Sequence, residues 1–303
     1  MLGAMTSRPG DDPATESGDL PGWLRTRLPT RGLRGQSSAV VDTMMSQPAR
    51  SSYGTAHELA ALAGVNVATV TRTAQRLGYD GWPQLQRELR ARYLAHLSAP
   101  EVAQQHAASG SSGASPLQRD LEGLAMVTRS PVVGQVGPLA AAIAGARQTL
   151  VIADGSYAAL ALAMAHNARL AGYEVEDVLD GGAAVANRVA SLGPDDVVLL
   201  ISFWRLYETA VLAARSAHAA GARVFLLTDA MSQDLAEHVE QALIVPTEGM
   251  AFFPSMTSGL AVLQAVVTEL AAVDPERSQS SVEAAEVQWQ RFGLLHRGAQ
   301  RGS

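Results

Sequence analysis

Between residues 149 and 245 the chain passes through five short β-type segments, 149–153, 174–178, 197–202, 223–228 and 242–245, of which all but the second, with Glu174, Glu176 and Asp177, are almost uninterrupted apolar runs. Helix-compatible stretches, 157–171, 183–192, 207–220 and 232–240, follow the first four, and Gly172, Gly193 and Gly221 stand where three of them stop. A strand that is apolar at every position, rather than every second one, is buried on both faces. Strands joined by helical crossovers lie parallel, so the expected fold of this part is α/β: a doubly wound parallel sheet with helices on both sides. In such sheets ligands collect at the carboxyl ends of the strands, beside helix N-termini. Two more helices, 255–273 and 281–295, close the pattern, with apolar stripes that suit either packing on the sheet or a subunit interface.

The segment before this rhythm is different. Residues 55–85 read as a helix, a glycine turn and a second helix. Leu59, Ala60 and Ala63 recur at three- and four-residue spacing, Gly64 stands where a left-handed turn residue is needed, and Val65 plugs the angle between the helices. Asn66 is a fitting N-cap for a helix over 67–77 whose buried stripe is Val70, Ala74 and Leu77. The opposite face carries Thr71, Arg72, Gln75 and Arg76. Short polar side chains and arginine are the chemistry that reads base edges and phosphates in a major groove. The sequence therefore assigns Asn66, Val67, Ala68, Thr71 and Arg72 to bases and Gln75 and Arg76 to phosphate, with Thr69 in the same DNA-facing set. A helical hairpin that serves only as core has the same periodicity.

Charge separates the two possibilities. The 303-residue chain has a net charge of −6, yet residues 20–97 hold ten arginines against four acids, while residues 98–303 hold twelve arginines against 21 acids. The helix-turn-helix thus lies in the basic part, where phosphate neutralisation requires it. All 23 basic residues are arginine, which fits a coding bias and is given no functional weight. With no cysteine, disulfides, cysteine-ligated zinc and thiol nucleophiles are excluded. No apolar run reaches the roughly 18 residues that span a bilayer, and a cytoplasmic protein with no membrane partner is expected.

The domain reading is a disordered tail over 1–19, rich in Pro, Gly, Asp and Ser; an all-α domain over 20–97; a linker over 98–116; and the α/β domain over 117–296. Within 20–97, helices are expected at 23–28, at 36–47 where Pro48 ends it, and at 84–97, the last with Leu85, Leu89, Tyr93 and Leu97 at four-residue spacing.

Glu58-Leu59-Ala60, Val65, Ala68-Thr69-Val70, Arg72, and Leu77-Gly78-Tyr79 followed by Gly81-Trp82 form one set of matching residues in the helical part. A second set comprises residues 150–172, Asp195-Asp196-Val197-Val198 leading into Ile201-Ser202, and Gly221-Ala222-Arg223-Val224 leading into Leu227-Thr228-Asp229. Together, over residues 20–295, they resemble the RpiR family of bacterial transcriptional regulators, a helix-turn-helix followed by a sugar isomerase (SIS) domain. The Leu-Gly-aromatic-x-Gly-aromatic tail is a mark of that family rather than of helix-turn-helix proteins at large.

Departures from the family pattern fall on the ligand loops. Where members that bind sugar phosphates carry Gly-x-Gly-x-Ser after the first strand, this chain has Ala153-Asp154-Gly155-Ser156-Tyr157. Where they carry Ser-x-Ser-Gly-x-Thr after the third, it has Ser202-Phe203-Trp204-Arg205-Leu206-Tyr207. The resemblance implies a pocket lined by Asp154, Gly155, Ser156 and Tyr157, by Ser202, Trp204, Arg205 and Tyr207, and by Thr228 and Ser232. Arg205 would supply a planar cation for a carboxylate or phosphate.

The SIS fold also hosts isomerases, which need a general base; His166 and Glu248 are the candidates, but a mid-helix histidine is more commonly core or surface than catalytic, and Glu248 could as easily be a solvated loop charge. No metal-ligand spacing, nucleophile elbow or Walker-type loop occurs, so no catalytic residue, metal or cofactor is assigned. The expected function is a regulator, a homodimer or homotetramer that binds double-stranded DNA and responds to a small effector, phosphorylated or carboxylated. The alternatives are an isomerase with an appended helical module and a ligand-free DNA-binding scaffold.

Overall fold

The computed structural model describes residues 20–98, 100–101, 104, 114–204, 206–231, 233–247 and 254–295. It divides into two compact units that part between Ser98 and Ala99. The 1–19 segment, expected to be disordered, lies outside the described residues.

The first unit is all helical: α1 (Leu20–Thr26), α2 (Gln36–Ser46), α3 (Pro48–Tyr53), α4 (Ala56–Leu62), α5 (Val67–Arg76) and α6 (Trp82–His96). One apolar cluster holds it together, with Trp23 and Leu24 from α1, Val40 and Met44 from α2, Leu59 from α4, Val70 and Ala74 from α5, and Leu85 and Leu89 from α6. The expected stripe Val70, Ala74, Leu77 is buried, because those positions share the inner side of a 3.6-residue repeat. Pro48 does more than end α2. It occupies the first turn of α3, where its missing N–H forfeits nothing, and so starts a helix that the sequence reading left out.

The second unit opens with α7 (Ala114–Val127) and α8 (Val133–Gly145) and continues as β1 (Thr149–Ala153), α9 (Ala158–Leu170), β2 (Val175–Val178), α10 (Gly182–Val189), β3 (Val197–Ile201), α11 (Glu208–Ala219), β4 (Arg223–Thr228), α12 (Gln233–Ala236), β5 (Gln241–Ile244), α13 (Thr257–Val273) and α14 (Pro275–Arg291). The five strands are parallel in the order β2-β1-β3-β4-β5. Val151 of β1 faces Asp177 of β2 and Leu199 of β3, and Leu199 faces Phe225 of β4.

Strand residues alternate between two cores, as a period of two demands. Val151, Ala153, Val197, Leu199, Ile201, Phe225 and Leu227 pack against α8, α9 and α13. Leu150, Ile152, Val198, Leu200, Val224 and Leu226 pack against α10 and α11. Both faces are therefore covered, and the sheet is doubly wound. The chain reverses direction across the sheet between β1 and β3, so the loops after these two strands flank the crevice where such folds take ligands.

Three boundaries differ from expectation. The linker expected over 98–116 is helical at Pro100, Glu101, Gln104 and from Ala114 onward, with the rest of it outside the described residues. The helix expected over 232–240 shortens to α12. The helix expected over 281–295 begins earlier, because the Asp274 carboxylate accepts the Arg277 N–H at 3.0 Å and Pro275 fills the first turn. It stops at the Phe292–Gly293 turn. Among the described residues no single helix is long and apolar enough to cross a membrane.

Candidate functional site

Two sites follow from this scaffold, one in each unit. In the helical unit a capping box opens α4: the Glu58 carboxylate accepts the Thr55 N–H, and the Thr55 hydroxyl accepts the Glu58 N–H. The Thr55 N–H and, second to it, the Thr55 hydroxyl, which lies 3.0 Å from the same oxygen, hold the Glu58 carboxyl below its usual range. Gly64 then turns the chain at φ +65°. Its N–H donates to Ala61 and the Val65 N–H reaches back to Ala60 at 2.9 Å, which closes the helix end and aims α5 across α4. No atom would crowd a Cβ at Gly64, so the left-handed backbone alone calls for glycine here.

Asn66 caps α5 by accepting the Thr69 N–H at 2.8 Å. Beyond it Val67, Ala68, Arg72, Gln75 and Arg76 are exposed and Thr71 is half-buried. Thr69 departs from the reading. It is buried, at 3% exposure, and its hydroxyl lies 3.0 Å from the Asn66 side-chain oxygen and 3.2 Å from that of Gln36 on α2. The same hydroxyl accepts a bond from the Arg72 guanidinium at 3.1 Å. Thr69 therefore sets the base of the exposed face rather than belonging to it. Arg76 is likewise oriented, donating to the Ser37 hydroxyl of α2 at 3.0 Å.

In the α/β unit, β1 ends in Asp154 and a single 3₁₀ turn, Gly155–Tyr157, that leads into α9. Gly155 has φ +60°, and a Cβ there would sit 3.1 Å from the Tyr207 hydroxyl, so the two loops approach closely. Tyr157 points inward. Its hydroxyl donates to the Phe203 carbonyl at 2.8 Å and its ring meets Phe203 edge-on at 5.2 Å. Burial pushes this phenol far above its ordinary pKa, with Asp229 and Tyr207 adding to the shift. Burial also raises the Asp154 carboxyl.

Trp204 carries the left-handed backbone (φ +58°) of the loop after β3. Its N–H donates to Asp229 at 2.9 Å, its indole N–H donates to Thr247 at 3.1 Å, and the Thr247 hydroxyl donates to Asp229 at 3.1 Å. This polar triangle ties together the segments that follow β3, β4 and β5.

Several residues expected to line a pocket are buried or already hydrogen-bonded. Tyr157 is buried with its hydroxyl engaged, Ser202 is buried, and Thr228 is buried with its hydroxyl turned to the Ala230 carbonyl at 2.8 Å. Trp204 is half-buried and directed at Thr247. Gly155, Ser156 and Tyr207 remain exposed at the rim, with Asp154 half-buried between them and the sheet. Arg205, Ser232 and Glu248 lie outside the described residues. His166 is exposed two turns into α9. Phe203, Asp229 and Thr247 were not anticipated, although Asp229 directly follows the β4 residues already singled out.

Two family profiles match this architecture. The helix-turn-helix domain of the rpiR family matches residues 27–96, and the SIS domain matches residues 142–269. The chain joins a helix-turn-helix domain of the rpiR family to a SIS domain.

Three similar proteins share 24% or less of their sequence with the chain. The chain is 24% identical over 235 residues to the uncharacterized HTH-type transcriptional regulator YfhH of Escherichia coli (strain K12), covering 76% of this chain and 83% of that one. The sugar isomerase domain of an RpiR transcription factor from Sphaerobacter thermophilus superposes with a TM-score of 0.54 at 24% identity, over 57% of this chain and 97% of that one. The Vibrio vulnificus NanR protein, in complex with ManNAc-6P, superposes with a TM-score of 0.58 at 18% identity, over 92% of this chain and all of that one. Both structures share the fold. Within it, the RpiR profile spans α2 to α6, and the SIS profile spans all five strands.

Proposed function

We propose that this protein is a transcriptional regulator of the RpiR family: residues 20–97 bind duplex DNA, and residues 117–296 sense a small metabolite and carry the contacts of a homodimer or homotetramer. The observation that carries the reading is α5, whose apolar stripe is buried while Asn66, Val67, Ala68, Arg72, Gln75 and Arg76 stay in solvent. Two copies of α5 in a homodimer would address half-sites about one helical turn apart. Asn66, Val67, Ala68, Thr71 and Arg72 take base edges, and Gln75 and Arg76 take phosphate.

The effector enters at the rim formed by Gly155, Ser156 and Tyr207, beside the first turns of α9 and α11. A sugar phosphate or another anionic metabolite is the class assigned, and the ManNAc-6P held by NanR supports it. No turnover is assigned, since exposed His166 lies away from the strand ends as a base for isomerisation.

The test uses the full chain and duplexes that it selects from a random-sequence pool, read by fluorescence anisotropy. Arg72→Ala should weaken binding by about 1–3 kcal/mol, roughly five- to 150-fold, without loss of fold. A panel of sugar phosphates should then shift the wild-type affinity with no product formed. Unchanged binding by Arg72→Ala would remove α5 as the reader, and product formation would favour the isomerase.

A further inference from the structure

The strongest unassigned feature is a cationic cavity between the turn that follows α1 and the end of α5. The turn between α1 and α2 reads Pro29-Thr30-Arg31-Gly32-Leu33-Arg34-Gly35. Pro29, Arg31, Gly32, Leu33 and Arg34 border a cavity of about 490 Å³, and Arg76, from the last turn of α5, completes its wall. Three guanidinium groups and no carboxylate line it.

The loop that presents them is built rather than slack. The Gly32 N–H donates to the Pro29 carbonyl at 2.6 Å, Gly32 and Gly35 take φ values of +65° and +61°, and Leu33 packs against the helical core. Arg76 is held from the other side by Ser37 at 3.0 Å. Three exposed positive charges around one space, with no carboxylate among them, attract an anion. Planar guanidinium forks fit the oxygens of a phosphate, which they grip with paired charge-assisted hydrogen bonds. Because Arg76 belongs both to the cavity and to α5, an anion bound there lies beside the helix proposed to enter the major groove.

We infer that Arg31, Arg34 and Arg76 clamp one backbone phosphate of DNA per subunit, a contact that strengthens binding without reading sequence. The inference rests on the DNA-binding reading above. It assigns the 29–35 turn a role in DNA binding that the α5 reading leaves empty.

The experiment compares wild type with the double variant Arg31→Ala/Arg34→Ala, full length, on one duplex selected by the wild type and one of unrelated sequence. Affinity is measured from 50 to 200 mM salt, with far-UV melting as a check on fold. Each phosphate neutralised contributes about 0.9 to the slope of log affinity against log salt. Because Arg76 still reaches that phosphate, the double variant should lose part of this contribution. Adding Arg76→Ala should complete the loss of about 0.9 in slope per bound subunit, which makes the affinity loss across that range roughly 3.5-fold smaller per subunit. The double variant's preference between the two duplexes should be unchanged, and Arg31→Lys/Arg34→Lys should restore most of the slope.

Coincident slopes for wild type and the alanine variant overturn the clamp while leaving α5 as the reader. A changed duplex preference at unchanged slope also overturns it, since the turn would then read bases. If the wild type binds no duplex at low salt, the DNA-binding reading itself fails and the clamp falls with it.

Discussion

Thr69→Val separates a residue that touches DNA from one that positions another. Valine keeps the shape and burial of threonine and leaves the Asn66 cap intact, because that bond uses the Thr69 backbone N–H. It deletes the hydroxyl that accepts the Arg72 guanidinium at 3.1 Å and meets Gln36 at 3.2 Å. Arg72 then loses the bond that fixes its rotamer before DNA arrives. Ordering a long side chain on binding opposes association by about 0.5–1.5 kcal/mol, so affinity should fall about two- to twelvefold. Arg72→Ala removes the contact itself and should have the larger effect, about 1–3 kcal/mol. Anisotropy titrations on the four members of the double-mutant cycle measure the coupling. With alanine at position 72, the substitution at Thr69 should have almost no further effect on DNA. If Thr69→Val weakens binding equally in both backgrounds, its hydroxyl acts on DNA independently of Arg72, and the positioning argument is refuted.

Two predictions concern the α/β unit. Tyr157→Phe deprives the buried Phe203 carbonyl of its donor, and should lower stability to urea by about 1–3 kcal/mol; unchanged stability would mean that the bond at 2.8 Å contributes nothing. Burial raises the Asp154 carboxyl, so the contribution of that group to stability is complete below the ordinary pKa of 3.8 and is lost as pH rises through the higher folded-state value. Asp154→Asn should therefore raise Tm at pH 7 and not at pH 3, by scanning calorimetry. A lower Tm at pH 7 would show that the ionised carboxylate has a stabilising partner.

How much of this was readable from sequence depended on how local the cause was. β1, β3 and β4 were legible because burial on both faces writes itself as a continuous apolar run, and β1 and β4 begin and end where that run does, whereas β2 at the sheet edge keeps only Val175 and Val178 buried. α8 was not, since Gly134, Gly137 and an internal Pro138 disguise a helix whose Leu139, Ala140 and Ile143 are stabilised by packing under the sheet. α7 was hidden by a small-residue start that resembled a linker. Thr69 was misplaced for a related reason. Its hydroxyl suggested base contact, but it lies on the same side as Thr73, also buried, and its partner Gln36 is 33 residues away. The partners within the candidate ligand loops were hidden in the same manner: Tyr157 meets Phe203 across 46 residues and Trp204 meets Thr247 across 43, distances over which composition carries no information. Gly64 and Asn66 were recovered because a turn and a cap are written in neighbouring residues.

The bonds around Trp204 also limit how an effector can act. A ligand shifts an equilibrium only by the difference in its affinity for the two states. A tenfold change in DNA affinity requires about 1.4 kcal/mol of such difference, the size of one or two ordinary hydrogen bonds. The triangle of Trp204, Asp229 and Thr247 contains bonds of that size at 2.9–3.1 Å, with a left-handed tryptophan backbone that opposes the arrangement they enforce. An effector arriving at Gly155, Ser156 and Tyr207 that competes for either Trp204 donor would release that strain while breaking the triangle, so the net opposition to opening is less than the bonds alone imply. The segments after β3, β4 and β5 would then rearrange together. In the assay, an effector of this kind is marked by a change in Trp204 fluorescence that tracks the change in DNA affinity, and Thr247→Val should shift the effector concentration needed without altering DNA binding in its absence. An affinity change with unaltered tryptophan emission would place the responsive element elsewhere in the unit.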